Sequence, residues 1–149
     1  MKKNSDNIEI RIYWESLEQG AHCIKPLIEE ALIKLKSEIE VKLVSLKGNY
    51  EYHSKIIAPI IFWKDPDILV TIIMNNIEYP LFMIEFSNAV FTEDHELQRF
   101  DGLVAAAENN CIYIKISPLT KQSVSGHGGN IDFNYIFPFS VIYKKFDKL

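Results

Sequence analysis

Two acidic residues stand where acids are expensive. Asp67 follows Pro66 at the head of the apolar run Ile68-Leu69-Val70, and Glu85 lies inside Leu81-Phe82-Met83-Ile84-Glu85-Phe86. A strand buried on both faces reads as a continuous hydrophobic run. A charge within such a run is costly unless it is paired or bound to metal. Two carboxylates brought together on neighbouring strands make a site for a hard cation. The plain alternative makes Asp67 a turn residue after proline and Glu85 an acid paired with a lysine. That alternative suits Asp67 better than Glu85, because an unpaired acid is rare at such burial.

The elements that must position these acids are a pair of strands over 67–74 and 80–87, joined by a tight turn at Asn75-Asn76. Successive strand side chains point to opposite faces, so Glu85 and Ser87 share one face and Phe86 points away. With the turn centred near 75–77, residues 67 and 85 fall approximately in register. Asp67 and Glu85 can therefore converge on one cation. Two carboxylates, the backbone carbonyl of Phe86 and waters suit Mg²⁺, with Mn²⁺ as the alternative. A metal held in this way polarises a phosphoryl oxygen and activates a water.

The flanking elements follow from periodicity. Ile8, Ile10 and Ile12 alternate with polar neighbours, predicting a short strand. Residues 15–36 read as helical, with Leu17, Ala21, Ile24, Ile28, Ala31 and Leu35 forming one apolar stripe. Pro26 interrupts it at an interior cost of ~3 kcal/mol, so a kink or a second helix begins there. A strand is expected over 41–46. The apolar stretch from Lys55 to Trp63, around Pro59, reads as an edge strand or a loop packed over the site. Thr92 is a suitable N-cap for a helix whose stripe is Leu97, Phe100, Val104 and Ala107, with Asn109-Asn110 as a left-handed stop. Cys111 to Ser117 reads as a buried strand, Pro118 to Asn130 as a glycine-rich loop, and 131–146 as one or two terminal strands, the better one over 139–144. The order through the middle is helix, strand, strand, strand, helix, strand. This is an α/β architecture with a mixed central sheet flanked by helices. The last helix is a crossover, so the strand at 111–117 should run parallel to the one at 80–87.

Composition narrows the classes. A chain of 149 residues, 48% apolar and 24% charged, fits a single globular domain. No apolar run reaches the ~18 residues of a membrane span. The polar start, Met1 to Asp6, leads into no signal-peptide core, so a cytoplasmic location is expected. Cys23 and Cys111 have no metal-type spacing and read as buried thiols. A net charge of −4 argues against nucleic-acid binding by bulk charge. It is compatible with a site where metal ions neutralise carboxylates and face a phosphate.

Pro66-Asp67, followed by Glu85-Phe86-Ser87 within this element order, resembles the PD-(D/E)xK nuclease superfamily, the restriction-endonuclease-like fold. The resemblance covers roughly residues 15–117. It implies that Asp67 and Glu85 bind Mg²⁺ and that the chain hydrolyses phosphodiester bonds of double-stranded DNA. The family's lysine, which positions or activates the attacking water, is replaced by Ser87. A serine supplies no positive charge, so either another cation takes that part or the site is weakened. The candidates are Lys115 on the following strand, Arg99 or Gln98 on the following helix, and Lys64 before the motif; Ser87 is kept as the positional match in the site, with Gln98 or Lys115 assisting. The resemblance also implies an acid on the first helix. Glu18 is the better match and Glu15 the second choice. Double-strand cleavage implies a homodimer, and the mild acidity implies that sequence recognition lies in another domain or subunit.

The alternatives are a catalytically impaired module of the same fold that binds DNA or protein, and an unrelated α/β domain with structural acids. His22, His53, His95 and His127 have no ligand spacing, so a zinc site is not expected. Ser125-Gly126-His127-Gly128-Gly129 opens no helix and is not a phosphate-binding fingerprint. Phe133, Tyr135, Phe137 and Phe139 alternate like a strand face, as core or interface residues do.

Overall fold

The structure is a computed structural model, described here over residues 8–46, 53–86 and 93–116. Its elements are β1 (Glu9–Trp14), a π-helical turn (Gln19–Ile24), α1 (Lys25–Lys34), β2 (Glu40–Ser45), α2 (Ala58–Trp63), β3 (Ile68–Met74), β4 (Ile77–Phe86), α3 (Glu93–Glu108) and β5 (Ile112–Ile116). The five strands form one mixed sheet in the order β2-β1-β3-β4-β5. β1 and β2 are parallel, β3 is antiparallel to both β1 and β4, and β5 is parallel to β4 across the α3 crossover, as expected. The α/β class and mixed sheet are as expected, but the helix-strand-strand-strand-helix-strand order is interrupted: α2 falls between β2 and β3, giving α1, β2, α2, β3, β4, α3, β5. The N-terminal strand adds to it, lying between β2 and β3.

The central hairpin turns at Asn75 and Asn76, with φ of 54° and 63°. Two successive positive φ values suit a type I′ turn, and asparagine tolerates that conformation better than most residues. Val70 pairs with Phe82 but Thr71 pairs with Pro80, so Leu81 is an extra residue on β4. Proline has no N–H to give to a ladder, and a bulge accommodates it.

Each face of the sheet has its own core. Ile10, Ile12, Ile68, Val70 and Ile84 pack with Ile24 of the π turn, and Ile28 and Leu32 of α1 lie against them. On the other face Tyr13, Leu69 and Met83 pack with Ile57, Ile60 and Ile61 around α2 and with Ala106 of α3. Burying one such isoleucine, leucine or methionine side chain stabilises the fold by ~1.5–3 kcal/mol. Cys111 is buried as expected and burial pushes its thiol up to about 12, whereas Cys23 is exposed, contrary to expectation; both are free.

Two local expectations are corrected. The apolar stripe of the first helix does not run through Leu17, Ala31 and Leu35. Leu17 and Leu35 are exposed, and Ile24, Ile28 and Leu32 make the contact. A π turn bonds each N–H one residue further back than an α-helix, which resets the phase just before Pro26. Pro26 then occupies the first turn of α1, the second-helix alternative. The stretch ending at Trp63 is neither an edge strand nor a loop but the short helix α2. Pro59 sits in its first turn, where no N–H is needed, and Ile60 and Ile61 are buried beneath it. Ser87, Thr92 and the loop and strands expected after 117 lie outside the described residues.

Candidate functional site

Ile68 pairs with Ile84, so the next position along each strand sets Asp67 opposite Glu85 at the same end of the hairpin. In the parallel ladder Glu85 pairs with Lys115. On the other side of Asp67, the Glu15 backbone N–H donates to the Asp67 carbonyl oxygen at 3.0 Å and carries the β1 ladder one step beyond its last residue. The sheet thus aligns Glu15, Asp67, Glu85 and Lys115 in one row across four strands. Glu15, rather than Glu18, is the residue whose backbone is bonded to Asp67. Both glutamates are exposed, and Glu18 heads the π turn.

The two central acids differ in setting. Asp67 is half-buried and its Oδ2 accepts the Phe86 backbone N–H at 2.6 Å. This short, charge-assisted bond closes the open end of the hairpin. It leaves Oδ1 without a place in that bond. Glu85 is 5% exposed and lies on the face that carries Met83. Above it runs α3, at Gly102. A Cβ on Gly102 would stand 3.2 Å from Tyr113 Cε2, 3.3 Å from Met83 Cε and 3.6 Å from Glu85 Oε1. A side chain there would press on Tyr113 and Met83, so the glycine eases the close seating of the helix over the acid. Gly102 escaped the sequence reading, although a glycine inside an otherwise helical stripe is a recognised sign of close packing.

The structure also contains a buried carboxylate that the sequence did not single out. Glu78, 6% exposed, accepts hydrogen bonds from the Tyr13 hydroxyl at 2.8 Å and the Thr71 hydroxyl at 2.7 Å. In the sequence it follows the turn residues as an ordinary polar position of a hairpin, and nothing local marks it. Burial pushes the Tyr13 phenol up to about 12; Glu78 adds to the rise and Arg11 opposes it. The His53 ring meets Tyr13 edge-on, with centroids 5.7 Å apart. Nearby on β1, Glu9 pairs with Arg11 at 2.5 Å and also with Lys42.

The donor set of the row fits Mg²⁺ in kind. This ion needs near-octahedral oxygen ligation, keeps several waters, and is commonly held by one or two carboxylates plus substrate phosphate oxygens. Asp67 and Glu85 with the Phe86 carbonyl make such a partial set. Among the described residues no group of three or more His, Cys, Asp and Glu side chains forms a cage around a metal, so the waters and the phosphate would have to complete it. Of Lys64, Gln98, Arg99 and Lys115, Lys115 is the one the register puts beside Glu85. Lys64 ends α2 and is half-buried, while Gln98 and Arg99 lie along α3. No family model, no curated protein and no solved structure matches this chain.

Proposed function

We propose that the chain is a metal-dependent endodeoxyribonuclease domain with a restriction-endonuclease-like core, hydrolysing phosphodiester bonds of double-stranded DNA. The observation that supports this reading is the row Asp67, Glu85, Lys115: two acids opposite each other at one end of a hairpin, with a lysine from the next strand beside the second acid. The lysine that the motif lacks at position 87 is thereby offered from β5.

In this reading Asp67 and Glu85 hold Mg²⁺, or Mn²⁺ in its place, with the Phe86 carbonyl. The bound ion supplies Lewis-acid polarisation of the phosphoryl oxygen and a water of lowered pKa. Asp67 is oriented by the Phe86 N–H, so Oδ1 is the oxygen available to a cation. Lys115 offsets negative charge gathering at the scissile phosphate, a stabilisation that strengthens where water is excluded. By the resemblance, Ser87 takes the position of the water-ordering group, with Gln98 assisting. Cutting both strands calls for two such sites, hence a homodimer, and sequence choice falls to a separate recognition domain or subunit.

The second reading, a non-catalytic module of the same fold, is favoured by the structural work both acids do. Asp67 closes the hairpin end through Phe86, and Glu85 lies in register with a lysine. Plasmid cleavage in Mg²⁺ separates the two. Wild type should nick or linearise DNA, and Asp67→Asn and Glu85→Gln should each lose at least about a hundredfold in rate, as removal of a principal electrostatic group does. Equal cleavage by all three proteins would end the catalytic assignment. No cleavage by any of them, with or without a supplied recognition partner, would favour the module.

A further inference from the structure

The π turn brings the chain straight back onto the strand it has just left. A Cβ on Gly20 would stand 2.9 Å from Trp14 Cβ, 3.2 Å from its Cγ and 3.4 Å from its Cδ1. Carbon atoms in contact sit about 3.5–4.0 Å apart, so an added methyl has no room. Gly20 is buried, and its φ lies outside the left-handed region. Space, rather than backbone conformation, calls for glycine here.

The nearest atom is the first of the Trp14 side chain, which no rotamer change can move. Crowding at this point therefore falls on backbone. On the strand side Trp14 pairs with Ile68, and its carbonyl oxygen accepts the Leu46 N–H at 2.9 Å. The next N–H, that of Glu15, donates to the Asp67 carbonyl oxygen at 3.0 Å. On the turn side the Gly20 N–H donates to the Ser16 carbonyl oxygen at 3.1 Å, and Ser16 directly follows Glu15. Pushing the strand and withdrawing the turn thus displace the same short step, Trp14 to Ser16, and that step is bonded to Asp67. Asp67 in turn accepts the Phe86 N–H at 2.6 Å, next along the chain from Glu85.

We infer that Gly20 is a positioning residue for the Asp67–Glu85 site: its missing side chain lets Trp14 and Glu15 hold Asp67 where it can share a cation with Glu85. This deepens the nuclease reading and rests on it for the metal. Gly20 acts at a distance, through Trp14 and Glu15 on the backbone of Asp67. A misplacement of about 1 Å passed on in this way costs up to ~100-fold in rate. Loss of a group that orients a metal ligand costs ~10–100-fold in affinity.

The test reads the site with and without metal. Mn²⁺ affinity is measured by water-proton relaxation, and the Phe86 amide resonance by NMR in EDTA. The proteins are wild type, Gly20→Ala, Trp14→Ala and Tyr13→Phe. Tyr13→Phe removes a hydroxyl bond to Glu78, towards the turn end of the hairpin, and controls for destabilisation alone. Gly20→Ala should bind Mn²⁺ about tenfold more weakly or worse and shift the Phe86 amide, whereas Tyr13→Phe should bind as wild type does. Wild-type affinity with an unmoved Phe86 amide in Gly20→Ala would overturn the inference. So would an equal loss of affinity in Tyr13→Phe. Should circular dichroism show Gly20→Ala unfolded, Trp14→Ala decides by the same two readings. It withdraws the ring atoms at 3.2 and 3.4 Å from the strand side of the contact. If wild type binds no Mn²⁺ while the Phe86 amide still moves in Gly20→Ala, the nuclease reading falls and the positional link stands.

Discussion

Replacing Asp67 in two ways separates what its carboxylate does for the fold from what it does for chemistry. Oδ2 lies 2.6 Å from the Phe86 nitrogen, at the open end of the hairpin. A hydrogen bond to a charged group contributes ~1.5–3 kcal/mol. Asp67→Ala removes the acceptor and leaves the Phe86 N–H, part-buried, without it, so a loss of ~1.5–3 kcal/mol is expected. Asp67→Asn keeps an oxygen in the same place and gives up only the charge assistance, about half of that bond's strength; its expected loss is below ~1.5 kcal/mol. Urea unfolding followed by circular dichroism measures both, and an unchanged slope with a shifted midpoint identifies the effect as stability. Cleavage should be lost equally in the two variants, because neither keeps an anionic ligand at position 67 beside Glu85. Asparagine as destabilising as alanine would show that the charge rather than the acceptor closes the hairpin. Full activity in Asp67→Asn would remove Asp67 from the metal site.

Two further outcomes follow from the buried groups. Tyr13→Phe deletes one of the two hydroxyl donors to Glu78 and should cost ~1.5–3 kcal/mol. It should also change the alkaline limb of stability. Burial raises the Tyr13 phenol from 10.0 to about 12, so its contribution is complete below pH 10.0 and is lost as pH rises towards 12. The wild type should therefore lose more stability than the variant across that interval, and parallel curves would contradict this. Gly102→Val places atoms where a Cβ alone would already stand 3.2 Å from Tyr113 and 3.3 Å from Met83. Overpacking of this kind costs ~1–3 kcal/mol, read as a lower Tm; an unchanged Tm would mean that α3 is not seated on the Glu85 row.

Much of the arrangement was legible locally because local rules governed it. The Asn75-Asn76 turn, the alternation that put Glu85 on a definite face, the left-handed stop near Asn110 and the parallel β5 all follow from turn chemistry, period and crossover length. Lys115 was one of several cations the sequence offered, and only strand register singled it out as the neighbour of Glu85. The stripe of the first helix was misjudged because a π turn changes phase without a clear residue signature. α2 was missed because a short apolar run around proline has the same composition in a strand, a loop or a first helical turn.

By itself, the sequence determined the hairpin and its two-residue turn, but the register set at that turn, with Met74 opposite Ile77, would carry Asp67 opposite Ile84; the bulge at Leu81 shifts it by one residue and sets Asp67 opposite Glu85. The tertiary structure decided the rest of the row. It inserted β1 between β2 and β3, which ties Glu15 to Asp67 through the backbone. It brought α3 down on Glu85 at Gly102 and joined Tyr13 to Glu78 across 65 residues of chain. These contacts join residues far apart in sequence, and their geometry depends on which strands become neighbours and which faces the helices cover. No local propensity encodes that choice; it is made when the competing ways of burying the same apolar faces are resolved by packing.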